Sequence, residues 1–303
     1  MKFPRLLLSL ACPKGSFLLH PFSSTASPFR STLLCAMSTS TSQHNTASSQ
    51  LLVSLSDRLA RTDDDDNRAA FDSNRPKPLG RLVLASQSPR RREILDMMGL
   101  SNCYEVEPSP LDESQLQADL VQRQLSSKEY TLRLAEAKAQ ALAQAHTVDK
   151  KKTTKTTNEN NDDAAADIPI FYLGSDTIVE LDEKILEKPK DKADAKRMLT
   201  IMSGRQHHVH TGVALYRLYQ QDIQLVGSFT DTATVTFCTL GENDIDAYIA
   251  SGEPMDKAGS YGIQGIGGQF VTAIEGDFFT VMGMPMHQTS RIVAMALLQE
   301  SQV

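Results

Sequence analysis

The sequence predicts an α/β domain around a mixed, twisted sheet. Short apolar runs recur along residues 79–303 and read as buried strands. Between them lie stretches with apolar residues at helical spacing, several closed by glycine. Strands interleaved with helices place the helices on the faces of the sheet.

Residues 82–85 read as a short buried strand, and a helix follows from Pro89 to Met98. Ser88 suits its N-cap, Pro89 its first position, and Gly99 its stop. A long helix is predicted from about Ser127 to Gln144. Residues 170–173 and 178–181 are strand-like on either side of Gly174-Ser175-Asp176-Thr177. Asp191 begins a helix with Ala195, Met198, Leu199 and Met202 on one face, and Gly204 ends it. Residues 208–215 and 225–238 read as strands, and residues 243–250 and 287–303 as helices.

Residues 1–78 are expected to be a leader and linker rather than part of the domain. No acidic residue precedes Asp57, while Lys2, Arg5, Lys14 and Arg30 sit among serines. Two readings stand: an organelle transit peptide for a mitochondrion or plastid, or a leader ahead of a start at Met37 in a cytoplasmic protein. Residues 62–77 are polar and carry the run Asp63 to Asp66. A second low-complexity stretch, from about Val148 to Asp167, lacks apolar periodicity and reads as a surface insertion.

The formal charge of −6 argues against a general nucleic-acid binder, which needs a basic footprint. No apolar run approaches the roughly 18 residues of a membrane span. Cys12, Cys35, Cys103 and Cys238 show no metal-ligand spacing and no disulfide framework.

Two loops carry the chemistry. In Ser86-Gln87-Ser88-Pro89-Arg90-Arg91-Arg92, three arginines crowd the first turn of a helix. A helix N-terminus already holds about half a positive charge, so these are the wrong sign unless an anion binds there. The alternative is that they are simply solvated. No Gly-x-x-x-x-Gly-Lys occurs, so this is not a P-loop. Asp176 interrupts an apolar run, where a carboxylate needs a partner. It is either a general base or metal ligand, or an Asx-turn in a tight bend. Lys138 is in register with Leu134 and Leu142 on the long helix, as a site residue or a snorkelling one. Asp112-Glu113 sits in a polar loop, Lys188-Pro189 ends a hairpin, and residues 253–259 concentrate charge and glycine before Gln264. His207, His208 and His210 lie on a strand, with His207 on the opposite face from the other two, and no histidine-bound metal is assigned.

Taken together, these segments resemble the Maf family of nucleoside triphosphate pyrophosphatases. The resemblance is carried by residues 84–91, by Ala135-Glu136-Ala137-Lys138-Ala139 and by Gly174-Ser175-Asp176-Thr177. It continues through Lys188-Pro189, Ser203-Gly204-Arg205-Gln206-His207, Thr211-Gly212-Val213 and residues 253–259 with Tyr261 and Gln264. The motifs occur in the family's order from residue 81 onward. The resemblance implies a two-lobed Maf-like domain with a central cleft, usually a homodimer, cleaving between the α- and β-phosphates with a divalent cation, Mg²⁺ or Mn²⁺. It implies Asp176 as proton acceptor, and Ser86, Arg90, Arg91, Lys138, Lys188 and Lys257 as substrate-binding residues. Glu113 would lie near the metal with Asp176. Arg90, Thr177 and Gln264 match the base-selecting positions of the dTTP/UTP group. The alternatives are a 7-methyl-GTP or modified-nucleotide pyrophosphatase, and a nucleotide-binding regulator of cell division. The leader, the insertion and the methionine substitutions in the run at residues 279–286 depart from the family pattern.

Overall fold

Gly174 and Asp176 do not break the strand that contains them. In the computed structural model, β3 runs unbroken from Ile170 to Leu181, where the sequence predicted two strands around a loop. The cause is its neighbour β5 (Gln206–Tyr219), which pairs antiparallel along the whole length and sets Gly174 opposite Ala214 and Asp176 opposite Gly212. That ladder satisfies the backbone through the interrupted run, so no turn forms there. The Asx-turn reading of Asp176 is thereby overturned.

The structure describes residues 55–62, 77–153 and 168–302, with only the backbone at 149–153. The leader at 1–54, the linker at 63–76 and the insertion at 154–167 lie outside the described residues. All described residues belong to one unit, Thr41–Val303. Their strands form a seven-stranded sheet ordered β2-β1-β3-β5-β6-β7, with β4 added to β3. Here β1 is Arg81–Leu84, β2 Glu105–Val106, β4 Lys184–Leu186, β6 Asp222–Phe237 and β7 Val271–Glu275. Strand β1 is parallel to β2 and β3, and the remaining pairs are antiparallel. The expected mixed α/β architecture holds.

The helices are α1 (Leu55–Arg58), α2 (Pro89–Met97), α3 (Glu113–Gln122), α4 (Ser127–Thr153), α5 (Lys192–Met202), α6 (Glu242–Ala250), α7 (Phe278–Met282) and α8 (Met286–Glu300). Helix α4 continues beyond the expected end at Gln144 and into the stretch read as insertion. Asp112 caps α3 by accepting from the Ser114 N–H, so the polar loop expected at Asp112-Glu113 is a helix start. Among the described residues no helix is long and apolar enough to cross a membrane.

Register creates an opening on one edge of β3. Strand β1 pairs with residues 170–173 and β4 with residues 179–181, so no strand covers this edge from Gly174 to Ile178 among the described residues. Two hydrophobic clusters flank the gap. One gathers Leu82, Leu84, Leu173 and Val213 with α2 and α8 residues. The other gathers Val179, Leu181, Val209 and Phe237 with α5 and α6 residues. The opposite face of the sheet carries α4, which lies close because glycine faces it twice. A Cβ at Gly174 would stand 2.3 Å from the Ala135 carbonyl oxygen, and one at Gly212 2.7 Å from that of Thr131.

The core starts earlier than the expected boundary near Arg81. Leu55 and Leu59 are fully buried against the first cluster, and the Ala60 N–H donates to the Gly80 carbonyl at 2.9 Å. The polar run that follows masked this short helix and Leu59 just beyond it. Leu59→Ala should lower unfolding free energy by about 2–5 kcal/mol. A chain begun at Arg81 should lose at least as much, and urea unfolding measures both.

Candidate active site

The β3 gap opens into a cavity of about 670 Å³, within the range of small-molecule sites. Strand β1 ends at its rim, and the next residues, Ser86 to Arg91, line one wall on the way into α2. This is the carboxyl end of parallel strands meeting a helix N-terminus, where anions are well placed. Ser88 occupies the N-cap position but makes no side-chain cap bond; its N–H donates instead to Ser86 Oγ at 3.2 Å.

The three arginines take three environments. Arg91 points inward: its Nε donates to the Gly283 carbonyl at 3.0 Å, and its terminal nitrogens to Ser86 Oγ at 3.0 Å and Thr177 Oγ1 at 3.4 Å. Burial pushes its pKa down, Asp176 opposes that, and Arg90 adds to the lowering. Arg90 lies at the mouth, 3.8 Å from Asp256. Arg92 is exposed and does not line the cavity.

Asp176 is 8% exposed and faces α4 across the close approach. Lys138 Nζ donates to Asp176 Oδ1 at 2.6 Å and reaches Glu113 Oε2 at 2.9 Å. Burial alone would lower the Lys138 pKa, and Arg91 acts the same way, but Asp176 and Glu113 outweigh them and leave it above the ordinary lysine value. The snorkelling reading of Lys138 is thereby overturned: the ammonium is buried. Lys188 and Lys257 complete the cationic lining. Lys257 Nζ is fixed by its own turn, donating to the Glu253 carbonyl at 2.7 Å and Asp256 Oδ1 at 2.6 Å. Thr177 shares a 2.9 Å hydrogen bond with Thr211.

Every site residue expected from sequence lines this cavity except Gln264. Gln264 is exposed and its Nε2 donates to Glu93 Oε2 at 3.0 Å, although its neighbours Gly262 and Ile263 line the wall. Sequence reasoning missed Glu187, which also lines the cavity and accepts a 2.6 Å hydrogen bond from Tyr130. Burial raises its pKa, the Tyr130 bond opposes this, and Asp176 adds to the rise. Only the α4 side of this contact was legible in the sequence: Tyr130, Leu134 and Lys138 share one face of α4 at i, i+4, i+8. Also missed was the Gly283 carbonyl, which accepts from Arg91 and from Ser175 Oγ at 3.0 Å; a backbone acceptor leaves no trace in residue type.

Asp176 and Glu113 offer carboxylate oxygens only, the donor chemistry of a hard divalent cation such as Mg²⁺ or Mn²⁺. No group of three or more His, Cys, Asp or Glu side chains converges at metal-binding spacing among the described residues. The two carboxylates therefore fit an ion that takes its remaining ligands from water and substrate oxygens, as Mg²⁺ commonly does.

Residues 81–296 match the family model described as Maf-like protein. The chain belongs to the Maf family. The Maf match spans the sheet and every site residue, and it leaves α1 outside. Relatives include a dTTP/UTP pyrophosphatase of Photobacterium profundum, 45% identical over 212 residues, covering 70% of this chain and 94% of the relative. A dTTP/UTP pyrophosphatase of Bacillus pumilus is 41% identical over 215 residues, covering 71% and 96%. One from Vibrio cholerae serotype O1 is 43% identical over 215 residues, covering 71% and 97%.

Behind the Maf cavity, Tyr261 bonds through its hydroxyl to His207 Nε2 at 2.9 Å, while His207 Nδ1 has no partner. Burial pushes His207 down to about 4, helped by His208. An unfolded chain therefore binds this proton first, so the stabilisation is present above pH 6.5 and is lost as pH falls toward 4. Wild type should lose about 2 kcal/mol through this group between pH 7.5 and 5. His207→Leu should flatten that slope, read as urea midpoints at the two pH values.

Proposed function

We propose that this chain hydrolyses dTTP and UTP to the monophosphate and pyrophosphate, clearing excess or modified pyrimidine nucleotides. The observation that carries the reading is the buried Lys138–Asp176 pair at the foot of a cavity walled by Arg90, Arg91, Lys188 and Lys257. That combination suits attack on a polyanion: cations to neutralise charge, and one fixed carboxylate to take a proton. The activity for which the Maf relatives are named agrees with it.

In this mechanism the triphosphate enters by the N-terminus of α2, against its free N–H groups and Arg90. Ser86 and Arg91 form the wall beneath, where the Gly283 carbonyl and Thr177 hold Arg91 in place. Lys138 fixes the orientation of Asp176, which accepts the proton of the water that attacks the α-phosphorus. Lys188 and Lys257 hold the departing pyrophosphate. Asp176 and Glu113 are the residues that would hold Mg²⁺ or Mn²⁺, which when bound would polarise phosphoryl oxygens and acidify water. Arg90, Thr177 and Gln264 would select the base. For Gln264 this means turning from Glu93 toward the wall that Ile263 forms, where its amide offers a donor and an acceptor to a uracil-type edge. The family resemblance extends the reading to a homodimer.

The test is a nucleotide panel with Mg²⁺ or Mn²⁺, using a chain that retains Leu55, with pyrophosphate and monophosphate as readouts. UTP and dTTP should be the best substrates. Asp176→Asn should lower kcat by roughly 10²–10⁴-fold, the range of a lost general base. Preference for a purine triphosphate would sink the base assignment, and an active Asp176→Asn protein would sink the mechanism.

A further inference from the structure

Glu187 is out of place if the cavity holds a polyanion. Beyond Asp176, Glu113 and Asp256 it puts a fourth carboxylate, half-buried, in a wall that should carry positive charge. Its side chain makes no ion pair among the described residues; it takes the Tyr130 hydroxyl at 2.6 Å, the length of a charge-assisted O–H···O bond. Tyr130 is 2% exposed and lies two turns before Lys138 on α4. The Glu187 carbonyl accepts the Gly259 N–H at 3.1 Å. Gly259 has φ of +65°, and a Cβ there would stand 2.6 Å from Val179 Cγ2 on β3. The turn that carries Lys257 is thus seated against β3 just beyond Asp176. The next residue along from Glu187 is Lys188.

Three separate segments meet at this one residue, and each carries one lysine of the cavity: α4 with Lys138, the end of β4 with Lys188, and the turn with Lys257. We infer that Glu187 is a positioning residue that holds these three lysines in mutual register through the Tyr130 hydroxyl and the Gly259 N–H. It touches no reacting atom. The side-chain half of the tie needs an acceptor at this position: a glutamine oxygen would still accept from Tyr130, through a weaker bond than the carboxylate makes. A role as metal ligand or direct phosphate contact would need the carboxylate itself.

The proposal rests on the triphosphate reading above, so the experiment takes two readouts on the full chain. One is kcat and KM for UTP with Mg²⁺; the other is affinity for inorganic pyrophosphate by calorimetry. Tyr130→Phe and Glu187→Ala should each raise KM and weaken pyrophosphate binding about tenfold, with kcat within about threefold, as expected when a hydrogen bond to a charged group is lost and binding is lost uniformly. Glu187→Gln should be clearly less impaired than Glu187→Ala, within about threefold of wild type on both readouts, because its amide oxygen keeps a weaker form of the bond. A Glu187→Gln protein as impaired as Glu187→Ala overturns the proposal and makes the charge itself the functional element. An unimpaired Tyr130→Phe protein overturns it as well. Should Tyr130→Phe fail to fold, the contrast between Glu187→Ala and Glu187→Gln decides alone. If wild type binds pyrophosphate but turns over no UTP, the hydrolase reading fails, and the tie is judged on pyrophosphate affinity.

Discussion

The arrangement depends on how closely α4 can lie on the sheet. Two glycines, Gly174 on β3 and Gly212 on β5, face the carbonyls of Ala135 and Thr131 with no room for a methyl group. That approach brings an ammonium on α4 to 2.6 Å from a carboxylate on β3. With side chains at both positions the helix would ride higher by the depth of a Cβ. Lys138 would then have to extend toward water, and Asp176 would be left as a buried charge with its partner out of reach. An unpaired buried carboxylate is among the costliest features a fold can carry. The glycines are thus the condition under which a carboxylate at this depth is tolerable. Displacements of about 1 Å at such a site are known to cost on the order of 10²-fold in rate.

The cavity itself follows from strand lengths. Strand β1 is 4 residues and β4 is 3, while β3 between them has 12. Covering the two ends of β3 and leaving its middle bare makes an opening without removing anything from the core. The two large hydrophobic clusters sit at either side of the gap and support each end separately. Backbone groups exposed in the gap are kept in strand geometry by β5 on the other edge. The methionine-rich run expected to depart from the family pattern has a place here. Met282 and Met284 are buried in the first cluster, and the Gly283 carbonyl between them receives Arg91 and Ser175. Methionine adapts its shape to an irregular gap, so this run can change composition while its backbone keeps one acceptor in position.

Much of this was legible in the sequence because its signals were local. The Ser-Pro helix start at 88–89, the cap at Asp191 and the stop at Gly204 are set by neighbouring residues, and they stand where periodicity predicts. Arg90, Arg91, Asp176 and Lys138 stood out because charge at a helix N-terminus or in an apolar setting is conspicuous, whereas Ser86, Glu113, Lys188 and Lys257 were named through the family resemblance. What escaped was non-local. Whether residues 174–177 bend or continue depends on β5, more than 30 residues away, and propensity alone favours a turn at Gly-Ser-Asp. Helix α1 was hidden because Leu55 and Leu59 precede a run of four aspartates, and only their burial against β1 reveals that they belong to the core. Glu187 was not singled out, because its partner Tyr130 lies 57 residues earlier.

Charge is partitioned inside the cavity in a way that neither the net charge of −6 nor the residue count conveys. Arg91 and Lys138 are bound to protein acceptors on several sides, so their charge is oriented before any ligand arrives. Among the described residues Arg90 is held only by a 3.8 Å contact with Asp256, whose side chain is 62% exposed. A pair at that distance and exposure is worth little in water, so Arg90 can exchange it for a phosphate at small cost. Adjacent arginines on one helical turn therefore do different work: the inner one stiffens the wall against which a polyanion would rest, and the outer one remains available to bind it. That division explains why three successive arginines are tolerated at a helix N-terminus. One is turned inward onto the Gly283 carbonyl, Ser86 and Thr177 with the charge of Asp176 favouring its cationic form, one faces the opening, and one is in solvent, so the dipole meets no single concentrated charge.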